Sequence, residues 1–295
     1  MTMEPGPSKF YTPLRYPGGK GKLVPFIKNL LEANGLLDCE YVEPYAGGAA
    51  VAMELLLHKH VSKIYINDIS NGVAAFWRSV LDDTDALCGA ICSAKLTVDE
   101  WRKQREIQAR GINVGDRALG FSTFYLNRTN RSGILNAGVI GGKNQLGTWK
   151  MDARFNAPDL IKRIHAIARV RSRIEFHQLD AVKFLDAVAP KLHEKNLIYL
   201  DPPYYVKGRN LYLHHYHHAD HVGIAEKVAQ LSSISWIVSY DNTPEVKSLY
   251  SQFRNIEYGL SYSARERYHG AEIMFFSNTL KIPNLVKPMH LLVPV

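Results

Sequence analysis

Asn196-Leu197-Ile198-Tyr199-Leu200 runs straight into Asp201-Pro202-Pro203-Tyr204. A short apolar run bounded by turn residues reads as a fully buried strand, the kind that sits inside a parallel sheet. Pro202 and Pro203 end it. Each fixes its own φ, and each drives the residue before it into extended backbone. The strand therefore stops in a stiff bend that carries a carboxylate, a carbonyl and a phenol ring. In open α/β sheets, ligands gather beyond the carboxyl ends of the strands, so this bend falls where function is expected. A turn that merely closes a buried strand is the plain alternative. An acid directly before the prolines and an aromatic directly after them tell against it.

Working outward, β-rich runs at 41–44, 63–67, 173–179 and 235–240 accompany Asn196–Leu200. Helical patterns over 48–58, 180–188 and 220–231 alternate with them. Strands spaced by helices imply βαβ units, and hence an α/β fold with a mostly parallel sheet. Two late runs, 256–263 and 272–278, predict an antiparallel pair that closes the sheet. The alternation breaks between about 80 and 168. That part is helical over Val98–Arg110, then rich in glycine at Gly133, Gly138, Gly141, Gly142 and Gly147. It reads as an insertion, which divides the chain into 1–79 plus 169–295, a catalytic body, and 80–168, an inserted domain.

Composition narrows the classes. No run of eighteen apolar residues is present, so no membrane span is expected. Cys39, Cys88 and Cys92 are too few and too odd in number for a disulfide framework, and a cytoplasmic setting is expected. The net charge is +8. Between Lys95 and Arg171 stand fifteen lysines and arginines against six acids, which accounts for the whole excess. A charge-balanced body joined to a basic insertion fits a nucleic-acid partner. A merely solvated basic surface is the bland reading.

The bend has the parts that methylation of an amino group needs. The lone pair of an exocyclic amine is delocalised into its ring, so the nitrogen is a weak nucleophile. Two acceptors on its two N–H bonds favour a pyramidal nitrogen with the lone pair free. Asp201 and the Pro202 carbonyl are assigned that work, which acts mainly where charge develops. Tyr204 is placed to stack on the base. Upstream, Glu43-Pro44-Tyr45-Ala46-Gly47-Gly48-Ala49-Ala50 ends a strand and opens a helix. Glycine there lets a ligand approach the backbone closely. Asp68 follows the next strand, about twenty residues on, the position of ribose-binding acids in nucleotide folds. Its alternative is a helix N-cap. Arg15-Tyr16-Pro17-Gly18-Gly19-Lys20 hints at a phosphate loop, but the glycine spacing is wrong and Leu23 stands where Ser or Thr should bind magnesium.

These motifs, in this order, resemble the adenine-N6 DNA methyltransferases of the Dam type, the D12 class, from Tyr16 to about Ser277. The resemblance implies a Rossmann-like sheet that binds S-adenosyl-L-methionine, with an inserted, mostly helical DNA-recognition domain. It places Tyr16, Gly18, Gly19, Lys20, Glu43, Tyr45, Gly47, Asp68, Asp180 and Asp201 at the methyl donor. Tyr45 stands where the family has Phe, and Ala49 where it has a final Gly. Asp180 is expected to end the third strand. Asp201, Pro202, Pro203 and Tyr204 match the catalytic tetrapeptide without departure. The segment from Phe124 to Gly133 resembles the family's recognition segment, and the glycines after it suggest a hairpin that enters a groove.

For the DNA contacts, Asn127, Arg128, Arg131, Lys143, Asn144 and Gln145 have the right chemistry. His214, His215, His217, His218 and His221 follow the catalytic turn; a lid or DNA-facing loop is preferred to a metal site, because the reaction needs no metal. Tyr240-Asp241-Asn242 is suggested as a lining of the target pocket. The expected activity is site-specific methylation of a flipped adenine in double-stranded DNA. A cognate restriction endonuclease is a further expected partner, and a monomer or weak dimer the expected state. The alternatives are an RNA adenine-N6 methyltransferase and an inactive DNA-binding relative.

Overall fold

The computed structural model describes residues 11–15, 20–206, 216–260 and 272–291. In chain order they form α1 (Val24–Ala33), β1 (Cys39–Glu43), α2 (Ala50–Leu57), β2 (Val61–Asn67), α3 (Asn71–Asp82), α4 (Thr84–Cys92), α5 (Val98–Arg110), α6 (Asp116–Thr129) and α7 (Ala157–Ala168). After these come β3 (Ile174–His177), α8 (Ala181–Val188), β4 (Asn196–Leu200), α9 (His218–Gln230), β5 (Trp236–Asp241), α10 (Pro244–Leu249), β6 (Arg254–Leu260), β7 (Glu272–Phe276) and β8 (Met289–Leu291). The chain divides into two compact units, one from 20–70 and 173–295, the other from 1–19 and 71–172.

The first unit is built on one sheet with the order β3-β2-β1-β4-β5-β7-β6-β8. Its first five strands are parallel, and β7, β6 and β8 are antiparallel additions. β1 and β4 lie next to each other, and every residue of both is buried. That is why Leu197–Leu200 of β4 reads as a continuous apolar run rather than an alternating one, while β1 buries two acids, Glu40 and Glu43, as well. Val42, Ile198, Leu200 and Val238 meet Phe184 of α8 and Ile224 and Val228 of α9 in one core. Each such side chain contributes about 1.5–3 kcal/mol on burial. Because β3, β2, β1, β4 and β5 all run the same way, their carboxyl ends share one edge of the sheet.

One expectation changes. The third strand stops at His177, and Asp180 instead caps α8, its Oδ1 accepting from the Val182 and Lys183 amides at 3.0 and 3.4 Å. Asp68 lies just ahead of α3, which starts at Asn71; its Oδ1 accepts from the Ser70 amide and its Oδ2 from the Gly47 amide, so it holds the entry to that helix and the glycine loop together. The late pair is present as β6 and β7, with 261–263 outside the described residues.

The other unit holds α3 to α7, and the insertion expected at 80–168 lies inside it. α6 lies close against α3 because Gly120 has no side chain. A Cβ there would meet the Ala75 carbonyl oxygen at 2.6 Å. Asn130, just past α6, accepts from the Trp101 indole of α5 at 2.7 Å. Among the described residues, the hairpin expected after Gly133 is reduced to one antiparallel bridge, Asn130 with Val139, followed by turns. Five glycines over 133–147 supply little β propensity to extend that bridge.

Candidate active site

Four strand ends bring the expected site residues onto one edge. Tyr45 and Gly47 follow β1, Asp68 follows β2, Asp180 lies beyond β3, and Asp201 follows β4. Asn67 ties three of these ends together. Its amide donates to the Pro44 and Leu179 carbonyls, both at 3.0 Å, and its oxygen accepts from the Leu179 amide at 2.9 Å. Asp68 accepts from the Gly47 amide at 2.9 Å with Oδ2 and from the Ser70 amide at 2.9 Å with Oδ1. Gly47 has φ 48°, a backbone that glycine adopts without cost. Ala49 has φ 47° and accepts the left-handed strain.

At the end of β4 the charges concentrate. Lys20 is buried, and its ammonium lies 3.2 Å from Asp201 Oδ1 and 3.5 Å from Glu272 Oε2. It also donates to the Tyr204 hydroxyl and sits 4.6 Å from the centre of that ring. Tyr204 passes the bond on, donating to Glu272 Oε1 at 2.9 Å, while Tyr258 donates to Glu272 Oε2 at 2.8 Å. Ser239 donates to Asp201 Oδ1 at 2.9 Å. Burial alone would lower the Lys20 pKa, but Asp201 and Glu272 reverse this and hold it well above the usual lysine value. Burial raises Asp201, with Lys20 opposing and Glu272 reinforcing. Among the described residues, every partner of the Asp201 carboxylate falls on Oδ1. Oδ2 is left for a ligand.

The bend itself is anchored from β5. Asp241 accepts from the Tyr205 amide at 2.9 Å and the Val206 amide at 3.0 Å. Asp241 therefore holds the exit of the tetrapeptide, a role that its suggested place in a pocket lining did not capture. Glu43 lies under the Gly47 loop. Its Oε1 accepts from the Tyr41 hydroxyl and the Ala52 amide, both at 3.0 Å. Burial pushes its carboxyl up to about 8, against those two bonds. It serves the first turn of α2 as a neutral acid.

A second set of rings adjoins the cofactor end. Tyr216 donates to the Tyr45 hydroxyl at 2.9 Å, and their rings meet edge-on at 5.9 Å. Burial raises the Tyr216 hydroxyl to about 12, against the bond with Tyr45, and Asp180, Asp220 and Asp68 add to the effect. Among the histidines, His221 is buried and bonds the Tyr240 hydroxyl at 2.9 Å; His218 bonds Tyr205 at 2.9 Å; His217 caps α9 with Asp220. His214 and His215 lie outside the described residues, as do Tyr16, Gly18 and Gly19. No group of three or more His, Cys, Asp or Glu suited to a metal is found among the described residues.

The expected methyl donor fits these residues. Asp68 and Asp180 offer carboxylates suited to hydroxyl and amino donors at adjacent strand ends. Tyr45 and Tyr216 offer apolar faces beside them, and Asp201 and Glu272 offer negative charge.

The residues expected to touch DNA divide. Asn127 and Arg128 are buried. Asn127 bonds the Arg15 amide and carbonyl and the Gly133 carbonyl at 2.6–2.9 Å. Arg128 donates to the Pro13 carbonyl. Both clamp the chain at 13–15 and are spent on that task. Gln145 holds its own turn through the Ile140 and Gly142 carbonyls and the Met151 amide. Arg131, Lys143 and Asn144 are exposed. Beside them Leu146 and Trp149 stand 85% and 72% exposed, apolar residues that the charge-based reading passed over.

A family model described as D12 class N6 adenine-specific DNA methyltransferase matches residues 16–263. The Type II methyltransferase M.MjaIII of Methanocaldococcus jannaschii is 26% identical over 208 residues, which covers 65% of this chain and 68% of that protein. The rRNA methyltransferase aviRa of Streptomyces viridochromogenes superimposes over 90% of this chain and 87% of its own, with a TM-score of 0.41 and 12% identity. Protein LPL1258 of Legionella pneumophila does so over 89% and 86%, with a TM-score of 0.35 and 13% identity. Both superpositions are too loose to bear on fold or activity.

Proposed function

The chain belongs to the D12 class of N6 adenine-specific DNA methyltransferases, and from that premise we propose that the cluster at the end of β4 is its transfer site. The reaction is methylation of adenine in DNA. S-adenosyl-L-methionine, the donor of this family, supplies when bound an electrophilic methyl group on a sulfonium.

The observation that carries the assignment is the one-sided occupation of Asp201. With Oδ1 tied to Ser239 and Lys20, Oδ2 is presented on a rigid bend. It accepts one N–H of the adenine amino group, and the Pro202 carbonyl accepts the other. The nitrogen lone pair is thereby turned to the methyl carbon. A preorganised acceptor of this kind costs no reorganisation at the moment of reaction. Tyr204 stacks on the base, its ring fixed by bonds to Lys20 and Glu272. The amino proton lost after transfer leaves by way of Asp201. Asp68 holds the ribose of the donor, Asp180 its adenine amino group, and Tyr45 and Gly47 line the loop between. Lys20 reaches this site from the tetrapeptide side, and Glu43 acts beneath the loop.

Action on a specific site in duplex DNA belongs to the same proposal, with the target adenine turned out of the helix at a cost of a few kcal/mol. The helical unit is its recognition domain, with Arg131, Lys143 and Asn144 toward DNA. A cognate restriction endonuclease, a cytoplasmic location and a monomeric or weakly dimeric state complete the reading. The test is nucleoside analysis of unmethylated duplex DNA and of RNA of the same sequence after incubation with protein and donor. N6-methyladenine in the DNA alone is expected. N4-methylcytosine, or methyl groups in the RNA alone, overturns the proposal.

A further inference from the structure

Glu272 is the first residue of an otherwise apolar strand, Glu-Ile-Met-Phe-Phe. It is buried, yet it lies on no element that the tetrapeptide or the glycine loop defines. Both of its carboxylate oxygens accept from phenols, Oε1 from Tyr204 at 2.9 Å and Oε2 from Tyr258 at 2.8 Å, and Lys20 Nζ is 3.5 Å from Oε2. Lys20 is thus shared between two carboxylates. The Tyr204 hydroxyl accepts from Lys20 and donates to Glu272, so the phenol is pinned from both sides.

Remove Glu272 and two things change. Lys20 turns wholly to Asp201, and an acceptor saturated by an ammonium binds an amino N–H less strongly. The cluster of Lys20, Asp201 and Glu272 also goes from one net negative charge to none. That charge matters because the methyl donor is a cation at sulfur, and its methyl must reach the nitrogen that Asp201 holds. Buried charges interact strongly, being poorly screened.

We infer that Glu272 is a positioning residue of the transfer site: it shares the Lys20 ammonium with Asp201, fixes the Tyr204 hydroxyl, and leaves the site one negative charge to meet the sulfonium. The inference rests on the transfer site proposed above.

The test compares wild type, Glu272→Gln and Glu272→Asp in the full chain. Dissociation constants are measured by calorimetry for S-adenosylmethionine and for S-adenosylhomocysteine, which lacks the methyl group and the charge at sulfur. Single-turnover methyl transfer is measured alongside. Glu272→Gln is expected to reduce the preference for the charged donor about fivefold or more relative to the uncharged product. It is expected to slow transfer about tenfold or more, with DNA affinity unchanged. Glu272→Asp keeps the charge and should keep the preference while slowing transfer, because the shorter side chain no longer spans both phenols. This variant carries the test where Gln disturbs folding. An unchanged preference and rate in Gln, or a preference lost equally in Asp, overturns the inference. Activity of the wild type in the same assay separates that failure from failure of the transfer site itself.

Discussion

Glu43→Gln is expected to remove a pH dependence that the fold carries in its interior. Glu43 is buried at the end of β1, where burial pushes its carboxyl from 4.5 up to about 8. Between those values the native chain holds a proton that the unfolded chain releases. The stability linked to Glu43 is therefore fully present below 4.5 and is lost as pH rises through about 8. That interval, at about 1.4 kcal/mol per unit, amounts to about 5 kcal/mol. Glutamine keeps an acceptor oxygen for Tyr41 and Ala52 and puts a neutral amide where the carboxyl proton was. Urea unfolding of the donor-free protein, at several values between about pH 5 and pH 8, measures the difference. The variant should gain on the wild type steadily across this range, by about 1 kcal/mol or more per unit. A difference that stays flat with pH would refute the reasoning, because it would mean that Glu43 is ionised in the folded protein.

Other outcomes follow from the same geometry. Arg128→Ala should cost about 2 kcal/mol of stability, the loss of a charged donor buried against a carbonyl, as read by urea unfolding. Arg131→Ala and Lys143→Ala should leave stability unchanged and weaken DNA binding, each reducing the salt slope by about one unit. The His221 imidazole, lowered to about 4 by burial, should stay neutral through the physiological range. Its share of stability is present above 6.5 and is lost as pH falls toward about 4, which the ring proton shifts in NMR would follow.

How far the fold was legible depended on how local its causes are. Asn196–Leu200 and the two prolines after it carry their own instructions, an apolar run and a rigid stop. β4 and its bend accordingly stand where they were expected. The helix of 98–110 was equally plain, with Thr97 accepting from the Glu100 amide to start it and Gly111 after its end. Asn127 and Arg128 misled because their side chains are chemically fit for DNA. Burial on α6 and service to the chain at 13–15 are properties of packing, which residue type does not report. Glu272 was missed for the opposite reason. Its partners Lys20, Tyr204 and Tyr258 are scattered along the sequence, and only the antiparallel turn of β7 beside β5 brings it to them. An acid opening an apolar strand was the one signal available.

The central claim is that Asp201 presents a free acceptor oxygen to the amino group that receives the methyl. Single-turnover transfer to unmethylated duplex DNA by Asp201→Ala, with DNA and donor affinities measured on the same protein, tests it directly. Transfer should fall by about a hundredfold to a thousandfold or more while DNA binding persists. Transfer at the wild-type rate by the substituted protein would contradict the account.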